Sequence, residues 1–505
     1  MANKLSVMDS GWLTMESRET PMHVGGLHIY ELPKGAPKDY CAKLYQYLTG
    51  VPGVSPPFDK KLDIPLAGPS AASWVEDDEF DIEYHIRHTA LPKPGRVREL
   101  LVLVSRLHGE LLDRNRPLWE SYLIEGLEGN RFALFTKMHH SMIDGVAGMS
   151  LLNRRMAHAV GEQVPPPWSS DWVELEANLK KPRAPRAPAP ALSKRLSDSM
   201  EVAKGLGQTA KEFYDMHRNP HQTAEVAPYQ APNSILNVRA SGARRFVADT
   251  WSMDRIKAVA KATDSTMNDV VLAMCGGCLR GYLLSQNELP DEPLVANVPV
   301  SMRKVEDAGA GGNAISVIQA NLGTNEVDGG ERLRVVKESM AAGKKRLERM
   351  GKQEILAYTL MANLPFTIGQ ALPIGGRVRP MYNVVVSNVP GPKEPLYLMG
   401  AKLLANYPAS LVFHGYTLNI TLTSYCNETI DFGFTACRKA IPGVQRMLDH
   451  LEDALVEMEK SAGLKTPAKK PAVKGTATKS PSTKKAAYLI KQYCDDVITV
   501  NTDEI

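Results

Sequence analysis

The residues best suited to chemistry in this sequence are concentrated at Lys137-Met138-His139-His140-Ser141-Met142-Ile143-Asp144-Gly145. Two adjacent imidazoles, a carboxylate four residues later and a glycine beside it are materials for proton transfer, because a histidine titrates near neutral pH and can both take and return a proton. Upstream, Arg131 to Met138 is rich in β-formers and reads as a short, buried strand. Downstream, Val146, Met149, Leu152 and Met156 recur at helical spacing. The histidines therefore stand at the end of a strand, and Asp144-Gly145 stands where the chain turns into a helix. Successive strand side chains point to opposite faces, so one imidazole can face a cleft while the other packs behind it. Asp144 can accept a local hydrogen bond or hold an arginine that fixes the loop. Gly145 leaves room for a ligand or a second backbone. The same residues could instead be a buried histidine pair that ties a turn together. A zinc site is the weaker reading, since zinc histidines usually sit several residues apart on one face.

The spacing His-His-x-x-x-Asp-Gly is the signature of the acyl-CoA-dependent acyltransferase superfamily, which includes chloramphenicol acetyltransferase and the condensation domains of peptide synthetases. The chain resembles one branch of it, the bacterial wax ester synthase/acyl-CoA:diacylglycerol acyltransferases. Five further stretches carry the likeness: Pro21-Met22-His23-Val24-Gly25, Pro117-Leu118-Trp119, Thr266-Met267-Asn268-Asp269-Val270-Val271-Leu272-Ala273, Pro299-Val300-Ser301-Met302-Arg303 and Ser387-Asn388-Val389-Pro390-Gly391-Pro392. The match runs from about Leu5 to Gly463.

The resemblance implies an α+β fold of two chloramphenicol-acetyltransferase-like domains, each a mixed sheet with helices, and an active site in a channel at their interface. It implies His140 as general base, His139 as its support from the opposite face, and Asp144 as the holder of the loop and of the imidazole orientation. Asn268 is implied to lie near the channel, and it or a backbone N–H near Gly145 is a candidate donor to the oxyanion. Asp269, Pro117, Leu118 and Trp119 enter as structural motif residues. The implied substrates are acyl-CoA and a long-chain alcohol or diacylglycerol. No acyl-enzyme is expected, and no G-x-S-x-G nucleophile elbow occurs in the chain. CoA brings its own leaving group, so no metal or other cofactor is implied. Both substrates carry long apolar chains, so apolar tunnels should flank His140. The apolar segment 353–371 and Leu403-Leu404-Ala405-Asn406-Tyr407 are candidate walls, with Ala405 as a point that sets chain length. Other readings of such a scaffold are a non-catalytic lipid-binding or lipid-droplet protein and a condensation-like, amide-forming enzyme.

The elements that must position these residues follow from composition and pattern. The 505 residues are 43% hydrophobic and 23% charged with a net charge of +4, which suits a globular chain of two or more domains and argues against a nucleic-acid partner. No apolar run of about 18 residues predicts a membrane span, and no secretory signal is expected, so the chain reads as cytoplasmic. Six cysteines then read as free thiols. Cys275 and Cys278 fall in an apolar helical stretch, where packing is the better reading than metal.

Residues 1–164 read as a first domain with strands at 27–30, 73–76, 80–87, 118–124 and 131–138 and helices at 36–50 and 97–113. Among its histidines, His23 either shapes the first strand or faces the cleft, and His85 and His88 read as solvated or core residues rather than chemistry. Residues 165–235 read as a linker, proline-rich and basic at 180–190 and helical at 192–216. Residues 236–463 read as the second domain, its strands including 246–251, 294–300, 314–320, 383–388 and 418–425. Residues 464–505 read as a disordered tail, with seven lysines and no acidic residue between Lys465 and Lys485. It either solubilises the chain or draws it peripherally to an anionic lipid droplet or inner membrane surface.

Overall fold

The computed structural model describes residues 3–66, 68–143, 145–179, 224–301, 315–351 and 379–465, with residues 354–355, 358–359 and 369–370 between them. The N-terminal half opens with β1 (Asn3–Lys4), α1 (Val7–Met15), β2 (His23–Glu31) and α2 (Tyr40–Thr49). It continues through β3 (Lys60–Asp63), β4 (Ser73–Glu76), α3 (Ile82–His85), β5 (Ile86–Ala90) and α4 (Val97–Leu107). It closes with β6 (Trp119–Leu127), β7 (Arg131–His139), α5 (Gly145–Arg155) and α6 (Asp171–Leu179). Strands β1, β4 and β3 form a small sheet.

The C-terminal half supplies β8 (Arg244–Ser252), β9 (Val295–Ser301), β10 (Ile315–Asn321), β11 (Val384–Val389), β12 (Tyr397–Leu398), β13 (Ala401–Ala409), β14 (Leu418–Tyr425) and β15 (Thr429–Cys437). Its long helices are Met253–Ala262, Met267–Gln286, Gly329–Arg349 and Arg446–Ser461.

Two six-stranded sheets organise these elements, in the orders β12-β13-β2-β7-β6-β5 and β10-β9-β11-β14-β15-β8. Both are mixed: β5 pairs parallel with β6, and β11 pairs parallel with β9 and β14, while the other ladders are antiparallel. This is the α+β architecture that the sequence predicts. The sheets do not follow chain order, however. Strands β12 and β13 come from the second half of the sequence and extend the first sheet through β13–β2 pairing, from Lys402–Glu31 to Ala409–Gly25. Residues up to Leu464 accordingly form one compact unit.

Strand alternation gives the first sheet two distinct faces. Tyr30, Phe132 and Leu134 pack with Leu44 and Leu48 of α2 and with Trp168. Leu27, Ile29, Ala133 and Phe135 pack on the other side with Leu100 and Val104 of α4 and with Phe246 of β8. The second sheet buries Val386, Ile420 and Phe432 against the helix Met267–Gln286 and its neighbours.

Two local expectations change. Residues Phe80–Arg87 are not one strand, because the Asp81 carboxylate accepts the Glu83 N–H at 3.0 Å and caps the short helix α3 before β5 begins. The helix predicted over 97–113 ends at Leu107, where Lys137 Nζ donates to the carbonyls of Leu107 and Glu110 at 3.0 and 2.9 Å. The predicted helix 192–216, most of 353–371, and the tail beyond Lys465 lie outside the described residues.

Candidate active site

A cavity of about 230 Å³ runs along the α2 face of the first sheet. Leu134, Thr136, Met138 and His140 line it from β7 and its end, and Val24, Gly26, His28 and Tyr30 line it from β2. These are alternate residues, as one face of a sheet requires. Asn406 and Pro408 of β13, Ser387 and Val389 of β11, and Thr421 of β14 complete the wall, so both sheets contribute. Phe58, Leu151, Leu152, Met156 and Trp168 add an apolar lining. Gly145 stands at the start of α5 and also lines the cavity. A Cβ there would meet Val389 at 3.6 Å, which is ordinary contact, so the glycine leaves room rather than relieving a clash.

The two adjacent histidines are held by the two neighbouring motifs. The His139 N–H donates to Leu118 O at 2.9 Å and the His140 N–H to Met22 O at 2.8 Å. Pro117-Leu118-Trp119 and Pro21-Met22-His23 thus grip the end of β7 from opposite edges. His140 is half-buried on the cavity wall, with its ring stacked on Trp12 of α1 at 4.4 Å between centroids and 27° between planes.

His139 is fully buried on the other face. Its Nδ1 accepts the Ser141 N–H at 3.1 Å and the Ser141 hydroxyl at 2.6 Å, which assigns the proton to Nε2. That N–H lies 3.5 Å from Glu16 Oε1, too far for a formed hydrogen bond. Glu16 also accepts from Arg114 Nε and Nη2 at 3.1 and 2.9 Å and from the Met22 N–H at 3.1 Å. Burial pushes the Glu16 carboxyl up, but His139, the Met22 N–H and Arg114 outweigh it and hold the carboxyl below its ordinary value.

The same face buries more charge. Lys137 is wholly inaccessible, with Nζ on two α4-end carbonyls and 3.2 Å from Glu120 Oε2. Burial lowers its pKa, against the raising effect of Glu120. Tyr122 donates to Glu120 at 2.6 Å and Arg87 at 3.3 Å. His23 donates to His108 O at 2.8 Å, and His108 donates to Ser410 O at 2.9 Å. His23 therefore does not face the cavity. Burial drives the His23 pKa well down and takes His108 to about 4. His85 donates to Trp119 O at 2.7 Å and stacks on that indole, so it serves the core. Trp119 itself donates from Nε1 to Phe58 O at 2.8 Å.

Of the other expected site residues, two stand away from this cavity and one is outside the described residues. Ala405 is not among the described residues that line the cavity. It is buried with Leu27, Ile29 and Phe246 on the face away from the cavity, and its neighbour Asn406 lines the cavity instead. The cause is a bulge: Leu403 pairs with Tyr30 but Ala405 with Ile29, so the extra residue Leu404 reverses the alternation. Asn268 is half-buried in the first turn of its helix and is not among the described residues lining the cavity. Its neighbour Asp269 completes a capping box, accepting the Thr266 N–H at 2.9 Å while the Asp269 N–H donates to Thr266 Oγ1 at 3.2 Å. Asp144 lies outside the described residues.

Sequence reasoning missed Glu16, Arg114, Trp12 and Glu120. A signal existed for the last: Lys137 and Glu120 are charges inside apolar strands, and such charges need each other. Cys275 and Cys278 are buried inside the helix Met267–Gln286, where burial raises both thiols. Gly276 and Gly277 lie beside them, where a Cβ would strike Leu322 O at 2.1 Å and Ala454 at 2.6 Å, so this stretch serves close packing. No group of three metal-ligating side chains occurs among the described residues. None of their helices is long and apolar enough to cross a membrane.

Residues 5–271 match the wax ester synthase/diacylglycerol acyltransferase catalytic domain, and residues 311–459 match the WS/DGAT C-terminal domain. Over 458 residues the chain is 41% identical to a probable diacylglycerol O-acyltransferase of Mycobacterium tuberculosis, spanning 90% of this chain and 98% of that one. Over 457 residues it is 42% identical to the O-acyltransferase WSD of Acinetobacter baylyi, spanning 89% and 96%. The solved wax ester synthase/diacylglycerol acyltransferase of Marinobacter aquaeolei VT8 is 39% identical with a TM-score of 0.73, over 92% of this chain and 100% of that one. The first condensation domain of the CDA synthetase shares the fold at a TM-score of 0.53 and 16% identity, over 92% and 96%. A likeness spread over both sheets, and not confined to the histidine motif, places this acyltransferase in the wax ester synthase/diacylglycerol acyltransferase family.

Proposed function

We propose that the protein moves a fatty acyl group from acyl-CoA to a long-chain fatty alcohol, giving a wax ester, to the free hydroxyl of diacylglycerol, giving a triacylglycerol, or to both. The observation that carries this reading is the placement of His140 on the wall of an apolar cavity to which both sheets contribute. An alcohol is a poor nucleophile and a thioester a good acyl donor, so the missing component is a base. His140 takes the hydroxyl proton as the new C–O bond forms and returns it to the thiolate as the C–S bond breaks. No acyl-enzyme intervenes, and the step as written needs no metal or prosthetic group.

His139 keeps the end of β7 in place from the opposite face, through Ser141 and Glu16. Asp144 holds the loop between His140 and α5. The N-terminal end of α5 lies at the cavity with Gly145, and backbone N–H groups there are assigned to the oxyanion, where the helix dipole favours negative charge. The basic tail attracts the protein peripherally to an anionic lipid surface. Truncation after Gly463 should then weaken sedimentation with anionic vesicles, most visibly at low salt.

The test of the activity is incubation with labelled palmitoyl-CoA and either hexadecanol or diacylglycerol, with identification of the labelled product. Wax ester or triacylglycerol is the expected outcome. Thioester left unconsumed would favour a non-catalytic lipid-binding role, and transfer to an amine alone would favour condensation-like chemistry.

A further inference from the structure

Helix α1 and the residue that caps it reach the two histidines. Trp12 lies within the helix, and Glu16, four residues on, is its C-cap. Trp12 stacks on His140 at 4.4 Å, and Glu16 approaches His139 at 3.5 Å. The indole is itself held in place. Phe413 stacks against it at 6.2 Å, and Met22, Leu411 and Tyr382 belong to the same cluster. The helix end is pinned by Arg114, which donates to Leu13 O at 2.7 Å as well as to Glu16. An aromatic wall that only filled space would need none of this fixation at the ring facing the base.

We propose that Trp12 is a positioning residue that acts through His140, its ring face stabilising the imidazolium formed when His140 takes the acceptor's proton. This rests on the reading of His140 as general base. Neutral imidazole gains only stacking from the indole. Once protonated it also gains the attraction between a cation and the negative face of an aromatic ring, which reaches about 6 Å from the centroid. An interaction stronger in the charged state than in the resting one lowers the barrier instead of merely tightening binding. The proton balance is that of the proposed reaction: it leaves the acceptor oxygen, rests on the imidazole as the C–O bond forms, and passes to the sulfur as the C–S bond breaks. Trp12 exchanges no proton; it holds the face of the ring that carries one. Glu16, held in charged form by Arg114 and His139, fixes the same helix from below.

The experiment replaces Trp12 alone with mono-, di- and trifluorotryptophan and measures single-turnover acyl transfer from palmitoyl-CoA to hexadecanol. Fluorine withdraws charge from the ring face with little change in shape, so packing is preserved while the attraction to a cation weakens stepwise. The rate should fall with each fluorine, by roughly 2- to 10-fold across the series, with KM unchanged and thermal unfolding near wild type. Trp12→Leu should lose roughly 2- to 30-fold. A flat fluorine series beside an inactive His140→Ala variant would overturn the role of Trp12 and leave the base assignment standing. A His140→Ala variant that keeps most of its activity would overturn the base assignment and this inference with it.

Discussion

The two faces of β7 divide the labour of the site. On one face, Leu134, Thr136 and Met138 lead to His140 along an apolar cavity. On the other, Phe135, Lys137 and His139 are fully buried, with two of the three carrying ionisable groups. One strand therefore presents an open face that can hold a long chain and a closed face crowded with buried charge. The closed face costs desolvation, which the partners of its charges offset: Lys137 has three acceptors, and Glu16 has Arg114 and a backbone N–H. The comparison teaches that the rigidity of the base comes from residues that never reach the substrate. Substitutions on the two faces should accordingly fail in different ways.

The sharpest contrast is His140→Ala. Loss of a general base should cost roughly 10²–10⁴-fold in rate, while thermal unfolding stays near wild type because the imidazole borders open space. A variant that kept more than about a tenth of the wild-type rate would contradict the assignment. On the closed face, Lys137→Met should do the reverse. It leaves the buried Glu120 with Arg87 as its remaining cation, and breaking a buried pair on one side costs up to about 3–5 kcal/mol. Urea denaturation should show that loss, and Lys137→Met/Glu120→Leu should recover part of it. An unchanged urea midpoint with a large rate loss would instead give Lys137 a chemical role.

Acid should act on buried histidines of both faces. Burial holds His28, His85 and His108 to about 4, so all three fold as neutral rings. Unfolded, they bind protons below about 6.5. Between those limits the unfolded state binds more protons, so stability is full above about pH 6.5 and falls as pH drops towards 4. The slope is about 1.4 kcal/mol per pH unit for each histidine. Glu16 works over a lower range: its depressed carboxyl contributes above its unfolded value and loses that contribution as pH falls through the folded one. Urea midpoints from pH 7 to 5 measure the histidine part. A flat profile would mean that these rings titrate in the folded protein as they do in the unfolded chain.

Much of this was legible in the sequence. Alternation along β7 predicts one imidazole per face, and most strands of both sheets and the helix Met267–Gln286 are readable from the sequence, though β12, β13 and β15 are not read as strands. Three things were not legible, each because it depends on contacts distant in sequence. Glu16, held by Arg114, meets His139 only after β2 and β7 pair, as His23 opposite His139 shows. Periodicity identifies β13 as an apolar segment but cannot say that its partner is β2 of the other half. The bulge at Leu404 has no glycine or proline to announce it, and it changes which residue sees the cavity.

That bulge gives the mildest and most local test of the comparison, because Ala405 and Asn406 are neighbours on opposite faces. Ala405 packs against Leu27, Ile29 and Phe246, with no cavity to expand into. Ala405→Leu should therefore overpack the layer between the first sheet and β8, costing about 1–3 kcal/mol. Its activity should fall equally on alcohols of every length, following the folded fraction. Asn406 is buried on the cavity side, its amide donating to Met149 Sδ at 3.4 Å, while its backbone N–H is secured by Asp431 at 2.7 Å. Asn406→Leu keeps that backbone bond and places a branched side chain in the path of a bound chain. Relative rates should then shift towards shorter alcohols, with the urea midpoint nearly unchanged. The discrimination should be graded, since each buried methylene contributes only about 0.8 kcal/mol. If Ala405→Leu were the variant that changed chain-length preference and Asn406→Leu the one that merely destabilised, the register through Leu404 would have to be the unbulged one, and the face of β13 turned to the cavity would be the opposite of that described.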